Sequence, residues 1–153
     1  LEWAQVYTGE VILIAPPDHP WNRARTIQAS DLADQALIFQ GQPAEMGAAF
    51  LEGLRQGGLS PERLKVAMTL ASAEAVVLAV EAGLGAAFAP RLAAQRSLEL
   101  GRVVETPIAG LALSETVYLG RSRRFPLGLS QAAFWDAALQ AFPPSGGGLL
   151  PAS

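Results

Sequence analysis

The chain has 153 residues and a formal net charge of -3; half of its residues are hydrophobic and 16% are charged. That balance excludes a largely disordered chain, and eleven basic against fourteen acidic residues leave no basic face to coat a phosphate backbone. The absence of cysteine excludes a disulfide scaffold, a thiol nucleophile and a cysteine-bound zinc or iron–sulfur centre.

The first residues carry neither a basic region nor a long apolar run, so no targeting segment is expected. The longest apolar stretches, residues 11–15 and 75–80, fall far short of the ~20 residues that span a bilayer, and no membrane contact is expected. Val11-Ile12-Leu13-Ile14-Ala15, stopped by Pro16-Pro17, reads as a strand buried on both faces. Asp18-His19-Pro20-Trp21 is a turn, and Ser30-Asp31-Leu32-Ala33 a single helical turn capped by Ser30. Ala36-Leu37-Ile38-Phe39 is the next strand. Residues 44–56 then place Met46, Phe50, Leu51 and Leu54 on one helical face, ended by Gly57-Gly58.

Residues 64–70 alternate partly and read as a strand. Ser72 can cap a helix over residues 73–82, with Val76, Ala79 and Val80 inward and Gly83 as its stop. Ala86-Ala87-Phe88-Ala89 is a strand ended by Pro90, and a short helix runs to about Leu100. Residues 103–106 and 116–120 are strands. The last amphipathic helix covers residues 130–142, with Ala133, Phe134, Ala137 and Phe142 as its apolar side, before a Pro/Gly/Ser tail. Strand and helix alternate throughout, which predicts an α/β fold with a largely parallel sheet and helices on both faces. In such sheets ligands bind at the carboxyl ends of the strands.

The reactive residue types are sparse. His19 is the only histidine, so neither a histidine triad nor a two-histidine metal site fits, and a turn histidine serves its neighbouring backbone. The carboxylate pairs Asp31/Asp34, Glu45/Glu52, Glu74/Glu81 and Glu99/Glu105 fall on solvated helix faces or helix starts, where they are structural. Gly83-Leu84-Gly85 follows a helix and precedes a strand, the reverse of a dinucleotide fingerprint, and reads as a helix stop. No catalytic, metal or cofactor-binding residue is expected.

Two loops are candidates for ligand contact. In Leu70-Ala71-Ser72-Ala73-Glu74 a strand feeds a small-residue turn that opens a helix. Free N–H groups and the Ser72 hydroxyl can hold an anion there, or Ser72 only caps its helix. Gln40-Gly41-Gln42-Pro43-Ala44 follows an earlier strand in the same way. Its amides can line a pocket, or the loop is simply solvated.

These residues together resemble a known family. Val6-Tyr7 … Glu10-Val11-Ile12-Leu13-Ile14-Ala15-Pro16-Pro17-Asp18-His19-Pro20-Trp21 resembles the apolar strand and Pro-Asp-His-Pro-Leu turn of LysR-type transcriptional regulators. Asp31-Leu32, Gly58-Leu59-Ser60-Pro61, the run from Ser72 to Arg91, Glu99-Leu100-Gly101-Arg102-Val103-Val104 and the final strand and helix follow in the family's order and spacing. The match runs from about Val6 to Phe142.

The resemblance implies an α/β fold of the periplasmic-binding-protein type II kind, with the second lobe complete plus the C-terminal part of the first. Residues 1–15 would be the crossover strand from the first lobe, 16–109 the second, effector-binding lobe, 110–142 the return to the first lobe, and 143–153 a disordered tail. It further implies a small-molecule effector, an organic anion, bound between the lobes. Carried over position by position, its contacts are Gln40, Gly41, Gln42, Ala71, Ser72, Ala73 and Phe88. Many relatives have hydroxyl residues and an arginine where this chain has Gln40-Gly41-Gln42-Pro43-Ala44-Glu45, which weakens the case for a strongly anionic effector at that loop. The family's pattern further implies a cytoplasmic homodimer or homotetramer that reaches DNA only through a winged helix-turn-helix N-terminal to this chain. The alternative is a periplasmic solute-binding protein of related fold. A basic helix-turn-helix encoded upstream would favour the regulator and a signal peptide the receptor. An enzyme is not expected, because the loops supply no base, nucleophile or metal set.

Overall fold

A computed structural model describes residues 2–122, 124 and 128–141. The chain divides into two compact units, Glu10–Leu113 and the described residues of Leu1–Gly9 with Ser114–Ser153.

The elements of the larger unit follow the apolar runs of the sequence. β1 (Glu2–Ala15) supplies its last residues, followed by β2 (Ala36–Gln40), α1 (Ala48–Gln56), β3 (Lys65–Leu70), α2 (Ala73–Glu81), β4 (Ala86–Pro90), α3 (Arg91–Glu99) and β5 (Val104–Glu105). The strand order is β3-β2-β4-β1-β5. β2 runs parallel to β3 and β4, whereas β1 is antiparallel to β4 and to β5. The expected largely parallel sheet is therefore a mixed one. Apolar runs identify buried strands but not the direction of their partners.

Alternate residues of the central strands feed two cores on opposite faces, as the pleat requires. Leu13, Leu37, Phe39 and Phe88 pack with Phe50 and Leu54 of α1 on one face. Ile12, Ile14, Ile38, Ala87 and Ala89 pack with Val76, Val77 and Val80 of α2 and Ala94 of α3 on the other. The unit is thus a sheet covered on both sides.

Local chemistry sets the ends of these elements. The predicted helix over residues 44–56 is a 3-10 turn, Pro43–Met46, separated from α1 by Gly47 at φ 91. The turn read as starting at Ser30 instead covers Ala29–Leu32. Gln28 is its N-cap, and the Asp31 carboxylate accepts the Gln28 N–H at 2.8 Å. Ser72 caps α2, its Oγ accepting the Ala75 N–H at 3.2 Å. Helices α2 and α3 are joined by a polar contact in which the buried Ser97 hydroxyl donates to Glu81 at 2.5 Å, with Arg102 3.8 Å from the same carboxylate. Ser97→Ala removes the shorter of these two contacts to a charged acceptor. A loss of about 1.5–3 kcal/mol is expected, read as a lower midpoint in urea unfolding.

In the smaller unit, β6 (Leu113–Arg121) pairs with β1, and the Thr8 and Thr116 hydroxyls meet at 3.4 Å. β1 is thus far longer than the five residues read from the sequence. α4 (Leu129–Ala141) buries Trp135 beneath the Arg121 guanidinium, 4.5 Å from the ring centroid. Arg121 also donates to Glu2 at 2.6 Å. The inward face of α4 differs from the expected one: Ala133, Phe134 and Ala137 are exposed, and Ala132, Trp135, Ala138 and Leu139 are turned inward. Phe142 and the tail at 143–153 lie outside the described residues.

Candidate functional site

The carboxyl ends of β2, β3 and β4 lie along one edge because these strands are parallel. β5, antiparallel to β1, ends at the same edge with Glu105, and β1 enters the unit there with Glu10 and Val11. Two of the sequence-predicted loops meet on this edge. Gln40 pairs in register with Leu70, and the Gly41 N–H donates to the Leu70 carbonyl at 3.3 Å. Gln40, Gly41 and Gln42 are thereby held beside Ala71, Ser72 and Ala73.

The Gln42 loop is not a free amide arm. Gln42 is the N-cap of the Pro43 turn; its N–H donates to Glu45 at 3.1 Å, and its carbonyl accepts the Glu45 N–H at 2.9 Å. Glu45 is thus a capping carboxylate. Across the edge, Ser72 takes the Ala75 N–H, while the N–H groups of Ala73 and Glu74 have no protein partner among the described residues. A first helical turn leaves such donors free for an acceptor outside the helix, and the dipole favours an anion there.

Phe88 stands apart from these two loops. It is 4% exposed, and its ring packs against Phe39 at 6.2 Å and Phe50 at 4.9 Å. It belongs to the core on the α1 face, whereas α2 packs on the other face.

The sequence reading missed a charged cluster farther along the edge, and its Glu105, read as lying on a helix face or helix start, stands in β5. Arg91, the first residue of α3, donates to Glu10 at 2.5 Å and to Glu105 at 2.7 Å. The hydrogen bond to Glu105, then that to Glu10, raises the Arg91 pKa above its ordinary value. Glu10 and Arg91 are 81 residues apart, so no local pattern signals the cluster.

The remaining candidates have structural roles. His19 Nδ1 accepts the Trp21 N–H at 3.3 Å, so in the neutral ring Nε2 donates to Gln35 Oε1 at 3.2 Å. Asp34 pairs with Lys65, Glu52 with Arg55 and Glu99 with Gln95. Among the described residues no group of three or more His, Asp or Glu could hold a metal ion, and no helix is long and apolar enough to cross a membrane.

A sheet covered by helices on both faces, with loops gathered at one carboxyl edge, defines an α/β ligand-binding unit. The family model described as LysR substrate binding domain matches residues 1–143, and the chain belongs to that family. It is 37% identical over 109 residues to a probable RuBisCO transcriptional regulator of Cyanidioschyzon merolae, covering 71% of this chain and 36% of that protein. It is 27% identical over 135 residues to an uncharacterized HTH-type transcriptional regulator of Methanocaldococcus jannaschii, covering 88% of this chain and 46% of that protein. The chain therefore spans between a third and a half of these relatives.

Among solved structures it resembles the effector binding domain of QuiR in complex with shikimate, with a TM-score of 0.72 and 19% identity over 92% of this chain and 64% of that one. It also resembles the regulatory domain of Synechocystis PCC6803 CcmR in complex with 2-PG, with a TM-score of 0.72 and 17% identity over 92% and 66%. These likenesses give the fold, that of LysR effector-binding domains of the periplasmic-binding-protein type II kind. The reading as a transport module is set aside.

Proposed function

We propose that this chain is the small-molecule sensor segment of a LysR-type transcriptional regulator, and that its effector carries an anionic group. Supporting this are the family membership and the names of the relatives, which are transcriptional regulators. Two structural neighbours are described in complex with small molecules, shikimate and 2-PG. The observation that carries the reading is the pair of unpartnered N–H groups of Ala73 and Glu74 beside the Gln40–Gln42 loop. In this reading residues 16–109 form the effector-binding lobe, with 1–15 and 110–142 belonging to a first lobe. Ser72 and Ala73 hold the anionic group, Ala71 leaves room for it, and Gln40, Gly41 and Gln42 contact the rest of the molecule. The segment performs no catalysis; the complete protein is a cytoplasmic homodimer or homotetramer and binds DNA through a separate N-terminal domain.

Ser72→Asp tests the anion site. Asp caps a helix as well as Ser does, so the fold and melting temperature should hold. A fixed carboxylate should instead displace the effector's own charge. A charge-assisted hydrogen bond contributes roughly 1.5–3 kcal/mol, so affinity should fall about tenfold or more. Calorimetric titration of organic acids into the effector domain of the complete regulator measures this. Unchanged affinity in a normally folded variant would leave Ser72 with a capping role alone.

A further inference from the structure

A cavity of about 160 Å³ opens beside β1, β4 and β5. Its apolar wall includes Val11, Leu13, Phe88, Ile108, Leu111 and Leu113. Glu10, Arg91, Glu105 and Thr106 supply its polar lining. Three features define what it can take. An apolar cavity of about 150 Å³ holds a benzene-sized molecule. Among the described residues Arg91 is the one cation of the lining, and it is bonded to both carboxylates, so the polar side they form carries an excess negative charge and no free cation for an acid. Thr106, 2% exposed, carries a hydroxyl with no hydrogen-bond partner among the described residues. The hydroxyl oxygen is itself sealed from solvent, so a ligand's polar atom meets it once the Thr106 side chain turns towards the cavity, which relieves the cost of a buried hydroxyl left unmet.

The cavity is separate from the α2 N-terminus at Ser72. Leu13 and Phe88 belong to the core on the α1 face, whereas α2 packs on the opposite face. Three strand spacings also separate β3 from β1 in the sheet order, about 14 Å at ~4.8 Å each. A molecule small enough for the cavity cannot reach the α2 N-terminus.

We propose that this cavity is a second ligand site, for a small uncharged ring compound bearing one hydrogen-bonding group, and that Thr106 meets that group. The proposal does not depend on the anion site at Ser72.

Phenol, benzene and benzoate are the probes, titrated into the full chain and followed by backbone amide shifts. Phenol should bind saturably, with shifts at residues 11–13, 88, 105–108 and 111–113. Benzoate should bind there at least about tenfold more weakly, because Glu10 and Glu105 repel its carboxylate. Thr106→Val keeps the side-chain shape and should weaken phenol several-fold while leaving benzene unchanged. The proposal is overturned if phenol shows no saturable binding, if benzoate binds in the cavity as tightly, or if the shifts fall at residues 40–42 and 71–74. Equal phenol affinity in a folded Thr106→Val protein would overturn the role of the hydroxyl.

Discussion

Truncating Phe50 to alanine is expected to lower the melting temperature by about 10–20 °C, from a loss of about 3–5 kcal/mol in a unit of roughly 100 residues. Phe50 projects from α1 and is fully buried. Its ring meets Phe88 edge-on, with centroids 4.9 Å apart at 74°, and Phe39 at 6.3 Å and 66°. Three elements, α1, β2 and β4, therefore join at one aromatic cluster. Removing one ring forfeits its transfer free energy, leaves a cavity between helix and sheet, and breaks two aromatic contacts worth about 0.5–1.5 kcal/mol each. Leu92→Ala is the control: that side chain is 63% exposed and should shift the midpoint little. Thermal unfolding followed by far-UV circular dichroism compares the two. Equal effects would mean that the cluster is not the packing centre of the α1 face.

Phe39, Phe50 and Phe88 were legible in the sequence because each lies in a strong local pattern. Phe39 and Phe88 sit in apolar strand runs, and Phe50 recurs at helical spacing with Leu54. The same holds for the candidate loops, since a strand followed by small residues and a helix start is a local signal. What the sequence concealed depends on distant partners. The first half of β1 reads Glu2-Trp3-Ala4-Gln5-Val6-Tyr7-Thr8-Gly9, with no continuous apolar run, and it pairs with β6 more than a hundred residues away. The mixed direction of the sheet and the Arg91 clamp are long-range in the same way. α4 failed for another reason: its alanines make the apolar stripe nearly isotropic. The stacking of Arg121 on Trp135, rather than periodicity, marks the face that turns inward.

Gly83-Leu84-Gly85, read as a single helix stop, separates into two glycines with different tasks, and alanine substitution should tell them apart. Gly83 is the left-handed residue after α2, at φ 78. Its N–H bonds to the Val80 carbonyl, and the Leu84 N–H bonds to that of Ala79, the paired bonds of a Schellman end. Among the described residues a Cβ at Gly83 would meet nothing within 4 Å, so Gly83→Ala costs only the backbone preference, about 1 kcal/mol. At Gly85 a Cβ would stand 2.5 Å from the Ala36 carbonyl oxygen and 3.2 Å from its carbon. Both atoms belong to the backbone that opens β2, and Leu37 is paired in register with Ala86, the residue after Gly85. No side chain can rotate out of the way, so the starts of two adjacent central strands must part. Gly85→Ala is therefore expected to cost about 2–3 kcal/mol, more than Gly83→Ala. Urea unfolding gives the two values, and amide hydrogen exchange should show faster opening of β2 and β4 in Gly85→Ala alone. If Gly85→Ala proved no more destabilising than Gly83→Ala, the close approach of Gly85 to the backbone of β2 would not be what requires glycine there.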